Sequence, residues 1–226
     1  MTMHPRRPYL FLVVATIGAL GCAPAQSAVR PASPSIGEME AIVKARNDSM
    51  RSRFTEADVR FMTGMIGHHA QAIVMAKWAS THGASGSVTI LAARIINSQQ
   101  DEINLMQSWL RDRKLPVPDA KAMPMTMVMN GMEHEMSMPG MLTDAQLQEL
   151  DSARGADFDR LFLTFMIQHH RGAVTMVKAL FVNDGAGQDH TVFKFASDVN
   201  TDQTTEIARM ERMVFTMRLE AKSPPR

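Results

Sequence analysis

The chain of 226 residues has 24 Lys and Arg against 23 Asp and Glu, a formal net charge of +1 that excludes the basic excess needed for non-specific nucleic-acid binding. Hydrophobic residues make up 45% and charged residues 21%, which excludes a wholly disordered chain. A single cysteine excludes an intrachain disulfide framework and any zinc site with two thiolates, whereas 21 Met against 14 Leu is an unusual excess of thioether.

The first 21 residues have the pattern of an export signal. A positively charged start precedes an apolar run over residues 9–20, which is too short for a stable membrane anchor. Cys22 then stands where a lipoprotein signal places its acylated cysteine. We predict a lipoprotein-type signal peptide over residues 1–21 and an exported protein of the periplasm or cell envelope, lipid-anchored through Cys22. A competing cleavage site after Ala25 would leave a free protein beginning at Gln26.

A tether and several long helices are predicted after the signal. Residues 22–46 form a flexible tether and lead-in rich in Ala, Pro and Ser, with helical periodicity beginning near Ile36. Capping residues followed by apolar stripes predict helices that begin at Thr55, Ser87 and Thr143. Two more long helices are predicted over 157–182 and 189–220. No segment alternates convincingly as a strand, so the predicted fold class is all-α.

The second half of the chain repeats the first. Seven residues of one helix recur 101 positions later, namely Asp58, Phe61, Met65, His68, His69, Ala72 and Met75 as Asp159, Phe162, Met166, His169, His170, Ala173 and Met176. Five residues of the next helix recur 104 positions later, namely Ala92, Gln99, Glu102, Ile103 and Met106 as Ala196, Gln203, Glu206, Ile207 and Met210. Neither hairpin could bury its apolar face alone, so we predict a four-helix bundle. The predicted helical domain spans 47–220, with repeat one at 55–112, a Met-rich connector at 120–142 and repeat two at 157–220.

These repeated segments resemble a known bacterial family. The motif Asp58-x-x-Phe61-x-x-x-Met65-x-x-His68-His69, its copy in the second half and the paired Gln-x-x-Glu-Ile-x-x-Met segments are similar to the ferritin-like family called domain of unknown function 305. The resemblance covers residues 47–217. It implies a ferritin-like four-helix bundle, an exported location and, in some cyanobacterial members, copper binding through Met and His. It implies no particular reaction.

Each half carries a His-His pair on its first helix. Neighbouring helical residues point about 100° apart, so both rings of a pair cannot face one point. We predict that one histidine of each pair is an inward metal ligand and the other lies at a groove or supports it. The alternative is a core histidine that hydrogen-bonds a buried carboxylate. The residues concerned are His68, His69, His169 and His170, with Asp58, Glu102, Asp159 and Glu206 as supporting carboxylates.

Thioethers accompany these histidines where oxidising di-iron bundles carry carboxylates. Such bundles use Glu-x-x-His on inward faces, but no histidine here has Glu three residues before it. Met stands three residues before and seven residues after the first histidine of each pair. Thioether and imidazole suit Cu(I) and Ag(I) better than Fe, Mg or Ca. The alternative is that these methionines pack in the core. The methionines concerned are Met65, Met75, Met166 and Met176.

The connector concentrates eight Met and one His within residues 123–141. Alternating residues of an extended chain fall on one face, where their sulfur atoms can converge. Thioethers bind metal without losing a proton and form no disulfides in an oxidising compartment. We predict a soft-metal site here, and the alternative is a linker that packs its methionines on the bundle. The predicted ligands are Met123, Met125, Met127, Met129, Met132, His134, Met136 and Met138.

Together these features predict an exported Cu(I)-binding protein, with Ag(I) as a second soft ion, that sequesters or delivers copper in the cell envelope. Its partners would be the metal ion, a copper-handling protein and, through the lipid anchor only, the membrane. We predict no nucleic-acid partner, no nucleotide cofactor, no catalytic residue and, without Cys-x-x-Cys-His, no covalent haem. Binding at the histidines is expected to weaken as the pH falls through the imidazole pKa, which is ~6.5 if unperturbed. The alternatives are a metal-dependent redox enzyme of ferritin-like type and a bundle whose Met-rich face binds a partner helix.

Overall fold

A computed structural model describes residues 33–51, 53–121, 125–129, 132–136 and 138–220, with side chains described for 33–46, 53–121 and 138–220. The helices are α1 (Ile36–Arg51), α2 (Glu56–Lys77), α3 (Gly86–Asp112), α4 (Asp144–Ser152), α5 (Gly155–Val182) and α6 (His190–Glu220). The strands are β1 (Met125–Met129) and β2 (Met132–Met136), and a short 3-10 turn (Trp78–Ser80) follows α2. Within these ranges, every helix is too short or too polar to cross a membrane.

The chain divides into two compact units after Glu40. The described part of the first unit is residues 33–40, a short coil that leads into the start of α1. The backbone N–H and hydroxyl of Ser35 both donate to the Glu38 carboxylate, which caps this first turn. The second unit begins at Ala41 and contains the long helices. Part of the predicted lead-in is therefore helical.

Four long helices form a bundle in the second unit. Helix α2 packs on α3 and α5 packs on α6, which are the two predicted hairpins, while α2 and α5 pack on each other at the centre. The short α4 packs on α5. The prediction of an all-α four-helix bundle built from two repeated hairpins is confirmed, because each hairpin covers the apolar face of the other.

A buried aspartate of each repeat holds the loop of the other repeat. Asp58, near the start of α2, accepts hydrogen bonds from the backbone N–H of Gly187 in the α5–α6 loop (2.7 Å) and from that of Thr55 (2.7 Å). Asp159, near the start of α5, accepts one from the N–H of Ser85 in the α2–α3 loop (3.1 Å). We call α2 and α5 the inner helices. The start of each one meets the end of the other, so they are antiparallel.

Replacing one of these aspartates is expected to destabilise the bundle. Asp58→Ala leaves the buried Gly187 N–H without its acceptor and removes half of a capping box, so the free energy of unfolding should fall by about 1–3 kcal/mol. Urea denaturation measures this loss. Glu56→Ala is the matched control, because Glu56 is in the same turn with a 95% exposed side chain and should cost less than ~0.5 kcal/mol. Equal losses in the two variants would contradict the inter-repeat role of Asp58.

Two apolar clusters fill the bundle and are related by the repeat. The first joins the first half of α2 to the second half of α5 and contains Met65 and Met176. The second joins the second half of α2 to the first half of α5 and contains Met75 and Met166. All four methionines are buried. The His-His pairs lie between the two clusters along both inner helices.

The predicted helix starts are confirmed at two places and wrong at a third. Thr55 and Thr143 each form a complete capping box. Ser87 is not a cap, because α3 begins earlier and the hydroxyl of Ser85 accepts the hydrogen bond from Val88 N–H. Both serines precede the same apolar stripe, so the local sequence fits either as the N-cap. The hydrogen bond from Ser85 N–H to the distant Asp159 favours Ser85.

The connector contains an antiparallel ribbon, so the prediction that no segment forms a strand is wrong. Each strand finds its hydrogen-bonding partner in the other, which the pattern of one segment alone cannot reveal. The register pairs three positions of β1 with three of β2 on one face of the ribbon, and we call this set the thioether face. Its pairs are Met125 with Met136, Met127 with His134, and Met129 with Met132.

Candidate metal centre

The two repeats meet at a pair of histidine rings, which we call the central pair. His68 on α2 and His169 on α5 have ring centroids 3.8 Å apart and ring planes tilted by 41°. Both residues are 0% exposed. They hold equivalent positions in the two repeats, so the pair lies where the pseudo-two-fold axis passes between the inner helices.

The second histidine of each pair turns toward the outer helix of its own hairpin. His69 Nε2 lies 2.6 Å from Glu102 Oε2 on α3, and His170 Nε2 lies 2.7 Å from Glu206 Oε2 on α6. Both histidines are fully buried, while the carboxylates are 19% and 20% exposed. These rings therefore do not lie at a groove, because the bundle buries both sides of each inner helix.

A hydrogen bond on one nitrogen leaves the other nitrogen of each ring free. A carbonyl oxygen only accepts, so His68 Nε2 carries the proton that it donates to Pro139 O (3.0 Å) and Nδ1 carries a lone pair. The two outer rings likewise place Nε2 against a carboxylate oxygen. Among the described residues, no partner reaches Nδ1 of these three rings or either nitrogen of His169. Metal-binding histidines have this arrangement, with one N–H donated to a carbonyl or carboxylate.

Burial keeps the central pair neutral. It lowers the pKa of His68 to about 3, and the nearby His69 adds to the effect. Burial, followed by the charge of His68, also lowers the pKa of His169 well below its ordinary value. Only neutral imidazole binds metal. The proton competition near pH 6.5 is expected for an unperturbed imidazole, and burial moves it to lower pH for these two rings.

Methionines of the two apolar clusters flank the central pair along the inner helices. Among the described residues, no three of His, Cys, Asp and Glu come close enough together to hold a metal ion. An ion at the central pair would therefore need soft ligands from the apolar clusters on either side. Met138, a predicted ligand from the connector, is 5% exposed and belongs to the first cluster with Met65 and Met176.

A turn of the connector covers the His68 side of the central pair. We call residues 138–142 the strap. Pro139 accepts the hydrogen bond from His68. The side chain of Gln71 on α2 holds both backbone groups of Leu142, because its Nε2 donates to the carbonyl (3.0 Å) and its Oε1 accepts from the N–H (2.8 Å). The first inner helix therefore fixes the strap at two points.

The second inner helix meets the strap through glycine. Gly140 has a φ of +78°, and a Cβ on Gly172 would lie only 1.9 Å from Pro139 O. Gln71 and Gly172 hold equivalent positions in the two repeats. The side chain of Gln71 hydrogen-bonds the strap, whereas Gly172 has no side chain. Sequence reasoning missed both residues. Many other positions also differ between the two copies of this helix, so the repeat gives no signal that singles them out.

Two predicted supporting carboxylates lie away from the histidines. Asp58 and Asp159 are ten residues before His68 and His169, about 15 Å along the helix at 1.5 Å per residue, and their oxygens bind loop backbone. The prediction that they support the histidines is wrong, because capping at each helix start uses these carboxylates. Glu102 and Glu206 do contact histidines.

Some predicted residues lie outside the described ranges. The signal peptide over residues 1–21, Cys22 and Met123 are among them. The backbone of the ribbon is described but its side chains are not. Two glutamines that the sequence placed in the repeat without a functional role, Gln99 and Gln203, are buried at 1% and 3% exposure and have amide atoms without partners among the described residues.

The family model described as "Domain of unknown function (DUF305)" matches residues 58–214, which is more than half of the chain. The chain belongs to the DUF305 family. The suggested resemblance is therefore confirmed. A DUF305 protein from Streptomyces coelicolor that is predicted to be secreted is 29% identical, with a TM-score of 0.58 over 71% of this chain and 92% of that one.

Copper and silver are bound in another solved structure of similar fold. CopM in its Cu(I)-bound form is 29% identical to this chain, with a TM-score of 0.53 over 70% of this chain and 96% of CopM. CopM has also been solved in Cu(II)-bound, Ag-bound and apo forms. The uncharacterised protein L153 of Acanthamoeba polyphaga mimivirus is 47% identical over 58 residues, which are 26% of this chain and 38% of that protein. The chain therefore matches well under half of the viral protein's length.

Proposed function

We propose that this DUF305 protein binds Cu(I), and Ag(I) as a chemically similar ion, to sequester or deliver copper in the cell envelope. The observation that carries the proposal is the buried central pair, which lies between two clusters rich in thioether. Three of its four ring nitrogens, Nδ1 of His68 and both nitrogens of His169, lack partners among the described residues. An unsatisfied buried polar group costs about 1–3 kcal/mol, which a bound ion would offset. Nitrogen and sulfur donors favour Cu(I) over harder ions. The copper- and silver-bound forms of CopM support the same conclusion.

Two groups of residues would hold the metal. In the bundle, the ligands would be the central pair and methionines of the flanking clusters. The outer histidines, oriented by Glu102 and Glu206, would stand beside the central pair and support it. In the connector, the ligands would be Met123 and the six positions of the thioether face. The bundle residues are His68, His69, His169, His170, Met65, Met75, Met166 and Met176.

The cellular setting of this proposal is the envelope. The export signal and Cys22 would deliver a lipid-anchored protein, and the predicted secretion of the Streptomyces relative supports export. Thioethers remain reduced donors in an oxidising compartment, where a cysteine site would be lost to disulfides. A copper-handling protein of the same compartment would supply or accept the ion.

Metal competition on the purified protein without residues 1–21 tests the proposal. Equal amounts of Cu(I), Ag(I), Zn(II) and Fe(II) are offered without oxygen, and the retained metal is measured after desalting. We expect Cu(I) and Ag(I) to be retained in preference to Zn(II) and Fe(II). Retention of Fe(II) in place of Cu(I) would favour the redox enzyme. Retention of no metal would favour the bundle that binds a partner helix.

Leucine substitution separates the connector from the bundle. Replacing six connector methionines with Leu keeps apolar volume but removes sulfur, so the helical circular dichroism should persist while the Cu(I) stoichiometry falls. Met39→Leu is the control, because Met39 is an exposed methionine of α1. Unchanged stoichiometry in the sixfold variant would remove the connector from the proposed ligand set. The six residues are Met123, Met125, Met127, Met129, Met132 and Met136.

A further inference from the structure

We infer that the strap is a gate, and that metal reaches His68 and His169 only when residues 138–142 move aside. This inference rests on the proposed function and concerns how the ion enters and leaves the bundle. Both rings are 0% exposed, so the closed bundle offers an ion no direct path to their nitrogens. Some covering element must therefore move before the central pair can bind.

The strap is the covering element that can move locally. Helices α2 and α5 have 22 and 28 residues with continuous backbone hydrogen bonds, so neither can open at one point without losing a full turn. The strap has a single turn bond of its own, from Met141 N–H to Met138 O (3.2 Å). It is held by the bonds from His68 and Gln71, by the weaker bond from Gln168 and by the buried side chains of Met138 and Leu142. Local opening of such short segments is the low-energy motion of folded proteins.

Space for this movement lies on the outer side of the strap. A cavity of about 850 Å³ between α5 and α6 is lined in part by Pro139, Gly140 and Gly172. Its polar lining includes Gln168, whose Nε2 lies 3.5 Å from Gly140 O. A strap that turns outward therefore enters an open, partly polar cavity and keeps a donor for its carbonyl groups.

Closure of the strap also prepares His68 for metal. The bond from His68 Nε2 to Pro139 fixes the proton on Nε2 and leaves the Nδ1 lone pair inside the bundle. The strap can therefore be closed both when the central pair holds an ion and when it holds none. A gate of this kind slows capture and release together, which suits sequestration.

Gly172→Ala displaces the strap directly, because its Cβ would lie 1.9 Å from Pro139 O. Gln71→Ala is a second variant that loosens the strap from the other helix without added bulk. Gly86→Ala is the matched control, since a Cβ on this helical glycine meets nothing within 4 Å. All three are made in the sixfold connector variant, so that Ag(I) loading reports on the bundle.

Two rates are measured on each variant: Ag(I) loading from a competing chelator, and hydrogen exchange of the Leu142 amide without metal. We expect both rates to rise at least tenfold in Gly172→Ala and Gln71→Ala, and neither to change in Gly86→Ala. If Gly172→Ala does not fold, Gln71→Ala decides the outcome.

Faster amide exchange with unchanged Ag(I) loading would overturn the gate and leave the proposed function intact. Unchanged exchange of the Leu142 amide in both strap variants would also overturn the gate. If the otherwise unaltered sixfold variant binds no Ag(I), metal binding in the bundle fails as well.

Discussion

Acidification below pH 6.5 should destabilise the protein by about 1.4 kcal/mol per pH unit for each histidine of the central pair. In the unfolded chain these imidazoles take up protons near pH ~6.5. In the folded protein burial lowers the pKa of His68 to about 3 and that of His169 well below its ordinary value. The unfolded state therefore binds more protons in this window. Stability is fully present above pH ~6.5 and is lost progressively as the pH falls toward the folded pKa values.

His68 alone should remove roughly 2 kcal/mol between pH 6.5 and 4.5, and His169 adds to the loss in the same direction, against the ~5–15 kcal/mol that stabilises a typical domain. Urea denaturation at half-unit pH intervals measures the slope. His169→Gln should reduce the slope by about half, because one of the two buried groups no longer titrates. His190→Gln, at an exposed position, is the control and should keep the wild-type slope. A slope that is the same in His169→Gln would contradict the burial of the neutral pair.

Removing His169 should weaken Cu(I) binding in the bundle by at least ~100-fold, more than the 10–100-fold that loss of a supporting partner costs. Zn(II) should bind the intact site only weakly, since the surrounding thioethers are poor ligands for it. Its affinity should therefore change less than that of Cu(I). His169 is the better test residue because, among the described residues, it makes no side-chain hydrogen bond that its removal could orphan. Chelator competition with Cu(I) and Zn(II), on His169→Ala in the sixfold connector variant, measures both affinities.

Glu206→Gln gives the graded comparison for this experiment. Glu206 accepts from His170 and orients it, so its replacement should cost about 10–100-fold in Cu(I) affinity. Glu211→Gln is the matched control on the same helix, because Glu211 pairs with the exposed Arg171 instead of a histidine. Unchanged Cu(I) affinity in folded His169→Ala would show that the central pair only packs, and the bundle site would be abandoned.

The sequence by itself determined the helices and their pairing. The capping boxes at Thr55 and Thr143 need residues only three positions apart, so local sequence specifies them. The constant offset of 101 residues between the two His-His motifs determined that two equivalent hairpins would share one core. The pairing of a histidine with Glu102 or Glu206 was also visible as an alternative, because helical periodicity places these residues on facing stripes.

Only the tertiary structure decided the environment of the central pair. The low pKa of His68 comes mainly from burial in the packed bundle, which no single segment encodes. The hydrogen bond from His68 Nε2 to Pro139 O joins residues 71 positions apart. The bond from Gly187 N–H to Asp58 joins residues 129 positions apart. Contacts at such separation depend on how the hairpins dock. The position of the strap depends on the same docking. Helix α5 leaves room for the strap because Gly172 has no Cβ, and Gln71 of α2 holds the strap from the other side.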